Sequence, residues 1–123
     1  MNIVFTLVLL LFVSCGGPMY ESETSLDQLP LIPQPQSVIS EPGGFAYGAN
    51  LQVIAEDQEL ADLQGFIPME SSLENSSGPL VLSLGWNHPS PEAYRLTIHR
   101  QEIRIQGAGP AGVFRGIQTL RQI

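Results

Sequence analysis

Lysine is missing from this chain. Its basic residues are five arginines, Arg95, Arg100, Arg104, Arg115 and Arg121, set against twelve acids for a net charge of −7. Most of the acids lie upstream of the arginines, so no broad basic face is available to neutralise phosphates, and nucleic acid is excluded as a partner. Cysteine occurs once, at Cys15, which leaves no internal disulfide and no cysteine-rich zinc site. The only histidines, His88 and His99, are isolated from each other and from Cys15, so no metal site is expected. Length is also short: 123 residues suffice for one small domain but not for a barrel of about 250 residues. The sequence carries no nucleophile elbow, Walker loop or His-Glu-x-x-His pair, so no catalytic residue and no cofactor are expected in it.

What is present begins with an apolar run over residues 3–13 that ends in Ser14-Cys15. It is too short to span a bilayer. A run of that length ending in a small residue before cysteine resembles a bacterial lipoprotein signal, although only the α-amino group supplies positive charge ahead of it. On this reading residues 1–14 are a removable signal peptide and Cys15 is the lipidated tether; an ordinary secretory leader is the alternative. Two or more acyl chains, at about 0.8 kcal/mol per buried methylene, hold a protein firmly on a membrane. The expected location is therefore the bacterial cell envelope, periplasmic or surface-facing. Residues 15–28, with Glu21-Ser22-Glu23-Thr24-Ser25, are small, polar and acidic and read as a flexible linker.

The domain itself is expected over residues 29–123. Pro30, Pro33 and Pro35 forbid a helix at its start and favour an extended lead-in. Strand candidates follow at 37–40, 45–47 and 51–55, separated by Pro42-Gly43-Gly44 and Gly48. Asp57 is expected to cap a short helix over 57–66, with Leu60, Leu63 and Ile67 at helical spacing and Glu59 and Asp62 complementing its N-terminus. A Ser/Asn/Gly-rich loop then leads to a half-buried strand at 80–84. Alternation in Tyr94-Arg95-Leu96-Thr97-Ile98-His99 and again in Ile103-Arg104-Ile105-Gln106 predicts an antiparallel hairpin, with Tyr94, Leu96, Ile98, Ile103 and Ile105 facing a core and His99 exposed. The last segment, from Pro110 through Gln122, predicts a helix whose stripe is Val113, Phe114, Ile117 and Leu120. Gly112 and Gly116 beside that stripe would let the helix approach a sheet closely.

Three patterns invite functional readings. Gly107-Ala108-Gly109-Pro110-Ala111-Gly112 spells the dinucleotide fingerprint. Its setting is wrong, because the preceding strand is the second arm of a hairpin and no ribose-binding acid follows about twenty residues on. A tight turn and a close helix contact explain the glycines. Asn75-Ser76-Ser77 spells a glycosylation triplet, which a bacterial leader makes irrelevant. Trp86, next to Asn87 and His88, is the candidate ligand-binding residue, able to stack on a sugar ring from a loop; the competing reading is a partly buried core residue at a strand end.

Three blocks together resemble a known family. They are Leu31-Ile32-Pro33-Gln34-Pro35-Gln36-Ser37-Val38 with Gly43-Gly44-Phe45, then Glu92-Ala93-Tyr94-Arg95-Leu96-Thr97-Ile98, and then Gly109-Pro110-Ala111-Gly112-Val113-Phe114-Arg115-Gly116-Ile117-Gln118-Thr119-Leu120-Arg121-Gln122. They resemble the N-terminal, non-catalytic domain of bacterial β-N-acetylhexosaminidases of glycoside hydrolase family 20. The last block is the most specific, although helper domains of other glycosidases end similarly; Arg115 departs from the aromatic common there. The resemblance implies an α+β fold, a mostly antiparallel sheet with two helices packed on one face. It also implies a C-terminal (β/α)8 catalytic barrel after residue 123, where an Asp-Glu pair assists attack by the substrate's own acetamido oxygen. No residue here matches that pair, so the chain alone is expected to be inactive. The stripe ending at Leu120 with no polar cap reads like a chain interrupted at a junction. On this view the chain is the accessory domain of a lipid-anchored hexosaminidase acting on terminal N-acetylhexosamines, with amino-sugar glycans as partners through the barrel and the membrane as partner through the anchor. The alternative is a stand-alone surface lipoprotein that binds amino-sugar glycans without cleaving them, with Trp86, Tyr94 and Tyr47 as stacking residues. A third reading, a periplasmic dinucleotide binder, depends on residues 107–112.

Overall fold

A computed structural model describes residues 30–69 and 75–123. The expected signal peptide at 1–14, lipidated Cys15 and linker to residue 28 lie outside the described residues. Four strands form one sheet: β1 (Val53–Ala55), β2 (Leu80–Ser83), β3 (Tyr94–His99) and β4 (Glu102–Gly107), in the spatial order β1-β2-β4-β3. Two helical segments complete the fold, a 3₁₀ helix at Gln58–Phe66 and α1 at Pro110–Leu120.

The hairpin is where alternation placed it. β3 and β4 pair antiparallel with Leu96 opposite Ile105 and Ile98 opposite Ile103. The expectation of a mostly antiparallel sheet is corrected, because β1 pairs with β2 in parallel and β2 pairs with β4 in parallel. The cause is connectivity. After β1 the chain enters the 3₁₀ helix, and β2 starts beside β1 in the same direction. Residues 84–93 then carry it past the neighbouring position to the edge, so that the hairpin turn returns β4 parallel to β2. Alternation reports which face a side chain takes and is silent about the direction of the partner strand.

The candidate strands at 37–40 and 45–47 are not strands. Hydroxyls do the holding instead of a ladder: Ala46 N donates to Ser77 Oγ (2.8 Å) and Gly48 N to Ser76 Oγ (3.0 Å), while Ser77 N reaches Ala46 O (2.9 Å). The glycosylation-like triplet thus contains the two serines that fasten residues 46–48, and Phe45 and Tyr47 rest against the core.

The expected helix over 57–66 is present one residue shorter and as 3₁₀ geometry. Leu60, Leu63 and Phe66 repeat every three residues, which aligns them along a helix of three residues per turn. Leu60 is fully buried, Leu63 half-buried and Phe66 exposed. Asp57 occupies the N-cap position with extended backbone, but its side chain makes no cap bond and accepts from Leu84 N at 2.9 Å, tying the helix start to the end of β2. α1 begins with Pro110 at its first turn and stops at Leu120, two residues before the expected end. Gln122 lies beyond it and grips the proline-rich lead-in, receiving Ile32 N and donating to Ile32 O, each at 2.8 Å.

Both helical segments lie on one face. Leu60, Val113, Ile117 and Leu120 join Leu80, Leu82, Ile103 and Ile105 in a single buried cluster. Ile98, expected in that core, is 37% exposed because β3 is the edge strand. The other face carries Arg104 between Glu102 (2.9 Å) and Glu56 (3.1 Å). Hydrogen bonds to Glu102 and then Glu56 hold the Arg104 guanidinium above its ordinary pKa. A raised basic group loses its contribution only as pH climbs through the folded value, so the Arg104 guanidinium itself adds no pH dependence near neutrality. The fold is α+β, a mixed sheet with helices on one side.

Candidate functional site

The glycine-rich turn after β4 is closed by the chain itself. Ala108 N donates to Ala93 O (2.9 Å), Gly112 N to Pro91 O (3.2 Å) and Val113 N to Gly109 O (3.2 Å). A dinucleotide site needs such amides free to receive a pyrophosphate. Here the segment 91–93 lies on the start of α1 instead. A Cβ on Gly112 would fall 2.2 Å from Ala93 O, and one on Gly109 would fall 3.2 Å from Pro91 O. These glycines serve a backbone-to-backbone contact, as the turn reading expected.

Trp86 sits on the loop between β2 and β3. Its N–H donates to Gly107 O (3.3 Å), and its half-buried ring lies under the guanidinium of Arg95, whose Cζ is 5.3 Å from the ring centroid. The ring of His88 is tilted against it at 4.9 Å and 38°. Ser90 N donates to His88 Nδ1 at 3.1 Å, which leaves the Nε2–H of that exposed ring free to donate. Arg95 was not expected here. The signal was available in the alternation of β3: Tyr94 turns toward α1, where its hydroxyl meets that of Thr119 at 2.6 Å, so Arg95 must turn to the opposite face.

Two other surface features stand out. On the outer side of the helical layer Phe66 and Phe114 meet edge to face at 5.3 Å. Phe66 is 50% exposed, so an aromatic pair stands partly open among the exposed Glu59 and Asp62 of the same helical segment. A shallow cavity of about 400 Å³ lies between residues 41–44 and the β3–β4 turn, lined in part by Glu41, His99 and Arg100. Among the described residues no His/Cys/Asp/Glu group could hold a metal ion. No helix among them is long and apolar enough to cross a membrane. Tyr94, a suggested stacking residue, is turned into the helix contact, and Tyr47 donates to Pro68 O, so neither joins Trp86.

The sequence model of glycosyl hydrolase family 20, domain 2, matches residues 28–123. The chain belongs to that family. A comparison with curated proteins gave no match. The matched span of the family 20 domain begins at the proline-rich lead-in and includes every strand and both helical segments. Within it, Gly116 brings α1 onto Ile105 of the sheet and Gly112 brings the start of α1 onto residues 91–93, and the family 20 domain 2 match points to an accessory domain of a hexosaminidase.

Proposed function

We propose that this chain is the accessory domain of a lipid-anchored β-N-acetylhexosaminidase of the bacterial cell envelope, held to the membrane by Cys15 and working beside a catalytic (β/α)8 barrel that hydrolyses terminal N-acetylhexosamines. The observation that carries the reading is the family 20 domain 2 match over residues 28–123. The surface supports it. Phe66 and Phe114 leave a partly exposed aromatic pair on the helical layer, of the sort that a neighbouring domain covers. The acid and the acetamido-orienting carboxylate belong to the barrel on this reading, and the domain's work is to support it.

Two measurements test the proposal. The purified chain is expected to give no turnover of an aryl N-acetylglucosaminide above buffer; turnover proportional to chain concentration would overturn the accessory role. The intact mass of the native product, captured from membranes with an antibody to residues 28–123, is expected to exceed this chain by about a 250-residue barrel and to carry acyl mass on Cys15. A lipidated species near the chain's own 13.4 kDa would instead favour a stand-alone lipoprotein, and an unacylated one would remove the anchor.

A further inference from the structure

The polar face of the sheet carries a second feature. Because Leu82 and Ile105 face the helices, their neighbours Ser83 and Gln106 face away, and register lines up Ser83, Gln106 and Arg95 as one row across β2, β4 and β3. Arg95 leans from that row over the indole of Trp86. Among the described residues Arg95 makes no ion pair, so its guanidinium braces the ring and keeps donors to offer. The His88 ring tilts against the indole with its Nε2–H unclaimed, and Asn87, next to Trp86 in the chain, is exposed. The loop is held at both ends, by Trp86 N on Gly107 O and by Ala93 N on Ser90 O (3.1 Å). In the same row, Ser83 Oγ is buried without a hydrogen-bond partner.

We infer that Trp86, with Arg95, Asn87 and His88, forms a carbohydrate-stacking site on the face of the sheet opposite the helices. A rigid, half-exposed aromatic plane ringed by a few polar donors is the arrangement that grips a flat apolar ring face with hydroxyls at its rim. A β-linked pyranose with equatorial substituents presents such a face through its axial C–H bonds. The part of the indole that Arg95 leaves uncovered takes that face, and the Arg95, Asn87 and His88 groups take the rim oxygens. That the sugar is an N-acetylhexosamine rests on the proposed function. The site would hold a glycan chain on the accessory domain. It lies across the sheet from the Phe66 and Phe114 patch, so covering the helical side leaves it open to solvent.

Trp86 is the only tryptophan in the chain, which makes its fluorescence a site-specific reporter. The full chain titrated with chitotetraose is expected to show a saturable change in Trp86 emission, with cellotetraose binding more weakly. Calorimetry on Trp86→Ala is expected to show affinity down at least about tenfold, since truncated aromatic anchors commonly cost that much. Arg95→Ala keeps the reporter and is expected to weaken binding severalfold. Circular dichroism on both variants checks that the sheet is intact. No saturable change with either sugar, or full affinity in a folded Trp86→Ala, overturns the site. Binding of cellotetraose in preference to chitotetraose overturns the amino-sugar assignment, and with it counts against the hexosaminidase reading while the stacking site stands.

Discussion

Gly112→Ala is expected to destabilise the domain by about 2–3 kcal/mol although alanine is the better helix former. In an open helix interior the change would stabilise by about 1 kcal/mol. Here the new Cβ would stand 2.2 Å from Ala93 O, 3.0 Å from Ala93 C and 3.2 Å from Pro91 O. These are backbone atoms, with no rotamer to turn aside. Both oxygens are also engaged, Ala93 O by Ala108 N and Pro91 O by Gly112 N, so moving segment 91–93 breaks the bonds that cover the start of α1. Overpacking against fixed atoms costs about 1–3 kcal/mol and sometimes more, and this contact is at the severe end. For a domain of this size each kcal/mol moves the melting temperature by about 4–8 °C, so a fall of about 10 °C or more is expected in a thermal scan. An unchanged or raised melting temperature would show that segment 91–93 yields freely, and that the glycine is not there for the contact. Because segment 91–93 also connects the Trp86 loop to β3, loosening it would carry through to the position of Arg95 over the indole.

How far this could be read from the sequence differs element by element. The hairpin was fully legible, since Tyr94 to His99 and Ile103 to Gln106 alternate cleanly and the edge position of β3 touches only the exposure of Ile98. α1 was legible for the same reason, its stripe being strong and its Pro110 start unambiguous. Parallel pairing of β2 with both neighbours was not, because Leu80 to Ser83 is buried throughout and a short, wholly buried strand shows no alternation of exposure from which to infer its partners. Residues 37–40 and 45–47 have strand-like composition yet join no ladder; Ala46 and Gly48 are fastened instead by the hydroxyls of Ser77 and Ser76, 31 and 28 residues away, a tertiary bond that no local pattern announces. Asp57 shows the same limit from another side: its position at the helix start follows from capping preference, but its carboxylate serves Leu84 N across the fold. For the candidate site, Trp86 was recognisable as an aromatic among polar neighbours. Its partner Arg95 is nine positions on, and their meeting depends on how residues 84–93 fold back, which composition does not encode.

Ile105→Ala is expected to cost about 4 kcal/mol, toward the upper part of the range of about 2–5 kcal/mol for emptying a core site. Ile105 is fully buried in the second inner strand, with Leu82 and Leu96 opposite it on either side. Above it lies Gly116, whose ideal Cβ position is 2.4 Å from Ile105 Cγ2. The isoleucine therefore fills the space that a side chain on α1 would otherwise occupy, and its removal leaves a hollow that neither the sheet ladder nor the bare helix backbone can close. Ile105→Val, which removes one methyl, is expected to cost only about 0.5–1.5 kcal/mol. The same geometry predicts coupling with the helix. Gly116→Ala alone pushes a methyl into Ile105 and destabilises; in the Ile105→Ala background that methyl enters vacated space, and the substitution should turn neutral or stabilising. The interaction energy in the double-mutant cycle is expected to be about 1–3 kcal/mol in the favourable direction, read from urea midpoints with the m-value held constant. Strict additivity would mean that α1 does not seat on Ile105 through Gly116. The seating matters beyond the sheet contact, because the same turn of α1 that sets Gly116 on the sheet fixes where Phe114 meets Phe66.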